Sequence, residues 1–215
     1  MLLADLRAEV AAVGRRLAAT GLVVGTAGNV SARAGDLIAV TPSGLDYADL
    51  SAELVGVHGL DGTEAEAPLR PSSELPLHLA VYAATDAAAI VHTHSPAATA
   101  TSALVDEVPA IHYQVAAFGG PVAVAPYATY GTDELAASVV AALAGRSACL
   151  LANHGAVTTG PDLQTALTRA RALEWVCDVW LRAAAAGRPR LLAAEEIEKV
   201  AGKLAGYGQR PPGNS

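Results

Sequence analysis

The chain alternates between long segments with helical spacing of apolar residues and short apolar runs. Residues 1–23 are rich in alanine and leucine with charges at intervals, which predicts an amphipathic helix. In residues 72–85, Leu75, Leu79 and Tyr82 follow the i, i+4, i+7 spacing of one helix face. Residues 161–187 predict a long amphipathic helix.

Two short apolar runs, residues 89–91 and 148–152, predict buried strands between these helices. Strands clustered between helices favour an α/β fold of three layers, with a central sheet covered by helices on both faces. The glycine-rich segment 25–33 is interpreted as a turn, and residues 45–50 as a helix start at Asp46 or Asp49. Residues 53–62 predict a hairpin on which His58 faces solvent.

Composition narrows the class of protein. The 215 residues, 52% of them hydrophobic, are enough for one domain over residues 1–215. The net charge is −7 and the basic residues are scattered, so we expect neither nucleic-acid binding nor membrane association. Cys149 and Cys177 lie far apart in apolar or helical contexts, which favours free thiols in the cytoplasm.

Candidate metal ligands follow the two buried strands. His92 and His94 are two positions apart, so on a strand their imidazoles face the same way. His154 ends the second apolar run, and Glu74 precedes the first. Imidazole suits zinc and similar divalent metals, so these four residues predict one metal site. Alone, the histidine pair also fits a hydrogen-bonded polar pair, and Glu74 also fits a helix cap.

Several loops are rich in glycine and small hydroxyl residues: Gly25–Asn29, Thr41–Gly44, Ser72 with Ser73, and the glycine after His154. Backbone amides in such turns, together with a helix N-terminus, can bind an anion without a lysine. Each loop alone also fits a structural turn. Their accumulation around Glu74 predicts a phosphate site.

Six segments together resemble the class II aldolase/adducin family over roughly residues 5–185. They are GTAGNVSAR, TPSGLDY, RPSSELPLH, VHTHSPAATA, the stretch from HYQVAAFGG to VAPYATYGTDELA, and NHGAVTTG, in that order. The resemblance implies an α/β/α fold around a mostly antiparallel sheet. It also implies a homotetramer with active sites between subunits.

The resemblance assigns roles to particular residues. It implies that His92, His94 and His154 bind Zn²⁺, with Glu74 as ligand and acid/base. The residues implied to bind the substrate phosphate are Gly28, Asn29, Ser43, Gly44, Ser72 and Ser73. Tyr113 falls where the family's aldolases use a tyrosine of the neighbouring subunit. Tyr207 falls where a mobile C-terminal tail, here from about residue 205, supplies another tyrosine.

The implied reaction is cleavage of a ketose 1-phosphate, L-fuculose 1-phosphate above all, to dihydroxyacetone phosphate and L-lactaldehyde through a metal-stabilised enediolate. Three other reactions fit the same site: 4-epimerisation, dehydration of methylthioribulose phosphate and decarboxylation of a sugar-acid phosphate. Family epimerases commonly carry aspartate at the position of Glu74, which favours the aldolase. A non-catalytic adducin-like binding module lacks the metal histidines, and a vestigial metal site is the last alternative.

Overall fold

Nine strands form one sheet in the computed structural model, which describes residues 1–204 and Gly206. They are β1 (Asn29–Ala34), β2 (Leu37–Val40), β3 (Gly56–Gly59), β4 (Glu64–Glu66), β5 (Ala89–Thr93), β6 (Glu107–Val108), β7 (Val122–Ala125), β8 (Ala148–Leu151) and β9 (Gly155–Gly160). Their order across the sheet is β4-β3-β2-β1-β5-β9-β8-β7-β6. All neighbours are antiparallel except β7 and β8. The predicted mostly antiparallel sheet is confirmed.

Helices cover both faces of the sheet. They are α1 (Ala4–Ala19), α2 (Leu75–Ala84), α3 (Pro96–Ser102), α4 (Asp133–Ala142), α5 (Leu163–Ala186) and α6 (Ala194–Leu204), with 3-10 turns at Ala52–Leu54 and Tyr113–Phe118. Helices α1 and α5 share a core with Val30 and Val91, whereas α2 and α4 share one with Ile90 and Val157. The predicted three-layer α/β/α fold is therefore confirmed. Among the described residues, none of the helices combines the length and the apolar composition of a membrane span.

The pairing of β1 with β5 places polar side chains inside the molecule. Asn29 lies opposite His92 in the antiparallel register. Because strand side chains alternate between faces, Val30 faces α1 and α5, whereas Asn29 and Ser31 face α2. His92 lies on that same α2 face, two positions from Ile90. Three buried polar side chains thus share the space between the sheet and α2.

Three sequence interpretations are corrected by the structure. The glycine-rich turn ends at Gly28, and residues from Asn29 onward form β1, whose inward polar residues made it look like a loop. No α-helix begins at Asp46 or Asp49 in the described chain; Asp46 instead accepts the Ala48 amide hydrogen in a turn. His58 is buried, 2% exposed, because Gly56 leaves room for its ring.

Candidate active site

The end of one strand and one hairpin loop bring the three histidines together. His92 and His94 extend from the end of β5, and their Nε2 atoms are 2.9 Å apart. His154 lies in the loop between β8 and β9, and its ring centre is 4.9 Å from that of His92 and 4.7 Å from that of His94. A Cβ at Gly155 would collide with the carbonyl oxygen of Thr93, so glycine is needed for this close approach of β9 to β5.

Glu74 reaches the histidines from the start of α2. Its Oε2 is 3.0 Å from Nε2 of His92, and its Oε1 is 3.5 Å from Nε2 of His154. The Asn29 side chain donates a hydrogen bond to Oε2 at 2.8 Å. The four predicted ligand atoms therefore all lie within 4.8 Å of one another.

The donor atoms fit a divalent metal. Nδ1 of His92 contacts the Ala156 carbonyl at 3.0 Å, which directs the hydrogen to Nδ1 and leaves the Nε2 lone pair facing the cluster. Oε1 of Glu74 is buried without a hydrogen-bond partner among the described residues. Donors on one tetrahedral zinc lie about 3.3 Å apart. Three of the donor pairs here are 2.9, 3.0 and 3.5 Å apart. Three imidazoles and a carboxylate are also ligand types that zinc accepts.

The electrostatics of the cluster favour a bound cation. Burial opposes the charged form of Glu74, but His92, His154 and Asn29 outweigh it and hold the carboxyl pKa below its usual range. Burial likewise opposes the charge on His92, but Glu74 raises the pKa of its imidazole. Burial lowers the pKa of His94 and of His154 to about 4. At neutral pH the site offers two neutral imidazoles beside an ionised carboxylate, which is the state that metal ligands require.

A cavity of about 340 Å³ opens beside the cluster. It is lined by Glu74, His94 and His154 together with all six predicted phosphate-binding residues, Gly28, Asn29, Ser43, Gly44, Ser72 and Ser73. Two loops of this lining are held together by hydrogen bonds from the Ser43 amide to the Arg70 carbonyl and from the Ser72 amide to the Thr41 carbonyl. None of the described lining residues is lysine or arginine. Amides and hydroxyls would therefore have to bind any anion here.

Comparison with known proteins identifies the family. The family model for the class II aldolase and adducin N-terminal domain matches residues 8–181. The chain belongs to the class II aldolase and adducin family. The family prediction and the prediction of an enzyme of the class II aldolase type are confirmed by this match and by aldolase relatives of about 40% identity.

Two relatives and one solved structure illustrate the similarity. The 5-deoxy-D-ribulose 1-phosphate aldolase of Bacillus thuringiensis serovar kurstaki is 40% identical over 213 residues, which are 98% of this chain and 100% of that protein. The L-fuculose phosphate aldolase of Escherichia coli K12 is 42% identical over 194 residues, 88% of this chain and 89% of that protein. A solved L-fuculose 1-phosphate aldolase superposes with a TM-score of 0.91 at 37% identity, covering 94% of this chain and 96% of that one.

The two predicted tyrosines lie away from the cluster or outside the described residues. Tyr113 is 49% exposed on a 3-10 turn, where its ring stacks on His112, and it does not line the cavity. Tyr207 lies outside the described residues. Two other tyrosines, Tyr127 and Tyr130, line the cavity and are 64% and 67% exposed.

His78 was not predicted as part of the site. Its Nε2 lies 2.5 Å from Oδ1 of Asn29, which in turn bonds Glu74. A signal was present in the sequence, because Glu74, His78 and Tyr82 recur at i, i+4, i+8 on a helix whose other residues are mostly apolar. Such a polar stripe on a buried helix face needs partners.

Proposed function

We propose that the protein is a metal-dependent aldolase that cleaves a ketose 1-phosphate between C3 and C4 to dihydroxyacetone phosphate and an aldehyde. One observation carries this proposal: three imidazoles and one carboxylate converge beside a cavity whose loops present amides and hydroxyls. A sugar phosphate offers hydroxyl and carbonyl oxygens to the metal cluster and a phosphate to the loops.

We assign His92, His94, His154 and Glu74 as ligands of Zn²⁺. The choice of zinc is supported by the ligand types, three imidazole nitrogens and one carboxylate oxygen. Zinc bound there would act as a Lewis acid that stabilises negative charge on the substrate oxygens. A catalytic zinc site needs an exchangeable position. We propose that Glu74 provides this position by leaving the metal when substrate binds.

The proton transfers fall to side chains of the protein. In cleavage, a base removes the proton of the C4 hydroxyl, the C3–C4 bond breaks, and its electron pair passes towards the C2 carbonyl. The proton released from the C4 hydroxyl is taken up by Glu74, which is ionised in the resting site, and Glu74 then supplies it to C3, which completes dihydroxyacetone phosphate. Its burial and its fixed Oε2 suit a general acid/base, which must keep a defined position next to the reacting carbon.

We assign the substrate phosphate to Gly28, Asn29, Ser43, Gly44, Ser72 and Ser73. Ser43 and Gly44 are exposed, line the cavity and lie next to the Ser72 loop. The Ser43 amide is bonded to the Arg70 carbonyl, so Ser43 offers its hydroxyl to the phosphate. The positive end of the α2 dipole favours an anion there. The Asn29 side chain is also committed to Glu74 and His78, so any contribution to the phosphate is additional to that role.

The tyrosine at the C4 hydroxyl is proposed to be Tyr113 of a neighbouring subunit, with Tyr207 contributed by the tail. Tyr113 is exposed and outside the cavity of its own chain. It can therefore reach substrate only if a second copy supplies it. This supports the proposed homotetramer with sites between subunits.

The aldehyde product has two candidates. The names of the two relatives point to L-fuculose 1-phosphate and to 5-deoxy-D-ribulose 1-phosphate. Cleavage of either between C3 and C4 gives the same phosphate product and an aldehyde with a terminal methyl group, L-lactaldehyde or acetaldehyde. The predicted substrate, L-fuculose 1-phosphate, stays a proposal, and the longer match to the Bacillus relative supports the second candidate.

The experiment is cleavage of both ketose 1-phosphates by zinc-loaded protein, with dihydroxyacetone phosphate followed by a coupled dehydrogenase. We expect release that is lost after chelation and restored by zinc. Absence of release from both substrates by protein that holds stoichiometric zinc would contradict the aldolase proposal. Epimerase, dehydratase and decarboxylase substrates would then be tested on the same preparation.

A further inference from the structure

Five polar side chains form a buried chain of hydrogen bonds between β1 and α2. Its links are Glu74 Oε2 to Asn29 Nδ2 at 2.8 Å, Asn29 Oδ1 to His78 Nε2 at 2.5 Å, His78 Nδ1 to Ser31 Oγ at 2.6 Å, and Ser31 Oγ to Tyr82 OH at 2.7 Å. All five residues are buried. The chain begins at the carboxylate of the site and runs along the β1-facing side of α2 to Tyr82, near the C-terminal end of that helix.

The chemistry of the groups fixes the direction of every link. An ionised carboxylate only accepts hydrogen bonds, so Asn29 must turn its amide nitrogen to Glu74 and its carbonyl oxygen to His78. That oxygen only accepts, so Nε2 of His78 must carry the hydrogen. In a neutral imidazole Nδ1 then accepts from Ser31, whose oxygen accepts in turn from Tyr82. All four bonds therefore point towards Glu74.

His78 itself cannot touch a substrate. Its side chain is fully buried and does not line the cavity. Burial also lowers the pKa of its imidazole to about 3, which is consistent with the neutral form. Two hydrogen bonds hold its ring, one at each nitrogen, so the ring has one orientation.

We propose that His78 is a positioning residue for Glu74: as the neutral Nε2–H tautomer it fixes the Asn29 amide, and Asn29 then holds Oε2 of Glu74. The fixed Oε2 leaves Oε1, which has no hydrogen-bond partner among the described residues, as the oxygen available for proton transfer. The role rests on the proposed function, because it matters only if Glu74 moves a proton. Ser31 favours this tautomer by donating to Nδ1 of His78, and Tyr82 donates to Ser31.

The first test reads the tautomer without any assay of activity. Long-range proton–nitrogen NMR spectra of protein labelled with ¹⁵N-histidine report which ring nitrogen carries hydrogen in each of the six histidines. The signals of His78 are identified by their loss in His78→Gln. We expect a neutral ring protonated at Nε2. A ring protonated at Nδ1, or a doubly protonated ring, would overturn the proposal.

The second test uses two variants of similar size. Gln at position 78 retains a donor at the place of Nε2, whereas Leu retains only bulk. For exchange of the C3 proton of dihydroxyacetone phosphate with solvent deuterium, we expect His78→Leu to lower kcat about ten- to hundredfold, the usual effect of losing a group that orients a metal ligand. KM should change much less than kcat, because Asn29 is the one proposed phosphate residue for which the structure gives a hydrogen bond to His78. His78→Gln should recover most of the rate.

Equal rates for wild type and His78→Leu would overturn the positioning role, and so would a Gln variant as slow as the Leu variant. Failure of the proposed function gives a different pattern, with no proton exchange by the zinc-loaded wild type. Because the tautomer is measured on the wild-type protein, the NMR result still decides the direction of the hydrogen bonds. The NMR result therefore tests the proposal even if His78→Leu fails to fold.

Discussion

The site divides into a buried half and an exposed rim that are built differently. The buried half comprises Asn29, Glu74, His78 and His92, which lie on β1, α2 and β5 and are at most 5% exposed. The rim comprises Ser43, Gly44, Ser73, Tyr127 and Tyr130, all exposed and all on loops. The residues of the proposed proton-transfer chain and His92 are thus held by packed elements, and the residues proposed to meet the variable parts of a substrate lie on loops. Changes in the buried half should alter rate, and changes in the rim should alter affinity.

The physical reason for the division is the cost of burying polar groups. A buried polar atom without a partner is destabilising, so each group of the buried half is tied to the next. Asn29, for example, bonds Glu74 on one side and His78 on the other. Ser43 of the rim is exposed to solvent and needs no such partner. The rim can therefore change between relatives more freely than the buried half.

The largest expected effect comes from the proposed metal cluster, which joins Glu74 and His92 of the buried half to His94 and His154. His94→Ala removes one of three imidazoles, and too few ligands then remain to hold zinc. We expect loss of both bound metal and cleavage activity, measured by metal analysis and by release of dihydroxyacetone phosphate. His112→Ala, on a histidine outside the cavity, should keep its zinc. Stoichiometric zinc in His94→Ala would refute the ligand assignment.

Glu74→Gln tests whether this residue moves a proton or only begins α2. The variant should keep the fold and the affinity for dihydroxyacetone phosphate but slow exchange of its C3 proton at least about a hundredfold, the lower range for general acid/base catalysis. Glu134→Gln is the matched control, because Glu134 lies in the first turn of α4 away from the cavity. Near-normal exchange in Glu74→Gln would reduce Glu74 to a structural residue.

The layered fold could be predicted from the sequence because helix and strand periodicities are local. The three histidines of the candidate metal site could be found for a similar reason, since two of them follow one apolar run at i and i+2 and the third ends another. Strand β1 was missed because Asn29 and Ser31 bond to α2, and their partners lie 45 to 51 positions away in sequence. The resemblance, not the spacing, suggested the tyrosines.

His58 and His78 show the same limit. Both are buried, and both look alike in sequence as single histidines in apolar surroundings. His78 has a partner at each ring nitrogen, whereas neither nitrogen of His58 has one among the described residues. Only the packing of α2 on β1 separates them. Local sequence patterns therefore predict helices better than they predict the burial of a single histidine. They do not predict the hydrogen-bond partners of that histidine.

Ser43→Ala tests the rim. If Ser43 donates to the substrate phosphate, losing a hydrogen bond to a charged group should raise KM about tenfold or somewhat more, with little change in kcat. Ser138→Ala on α4, outside the cavity lining, is the matched control and should leave KM unchanged. A fall in kcat at constant KM in Ser43→Ala would place this serine with the buried half and weaken the division.

The smallest expected effect is on how the free energy of unfolding depends on pH. Burial lowers the pKa of His78 from 6.5 to about 3, while Glu74 opposes this shift and His92 adds to it. Between about pH 6.5 and 3 the unfolded chain therefore holds a proton at position 78 that the folded protein lacks. The free energy of unfolding must fall as pH falls through this window.

The contribution of His78 to that slope is at most about 1.4 kcal/mol per pH unit. His94 and His154 of the metal-free protein act in the same direction, since the pKa of each is lowered to about 4, so the comparison with a variant is needed. Urea unfolding of metal-free protein between pH 7 and 4.5, at one protein concentration, should give a shallower dependence for His78→Gln than for wild type. If the free energy of unfolding depends equally on pH in wild type and His78→Gln, His78 is protonated in the folded protein. A neutral His78 ring would then not be what orders the buried half.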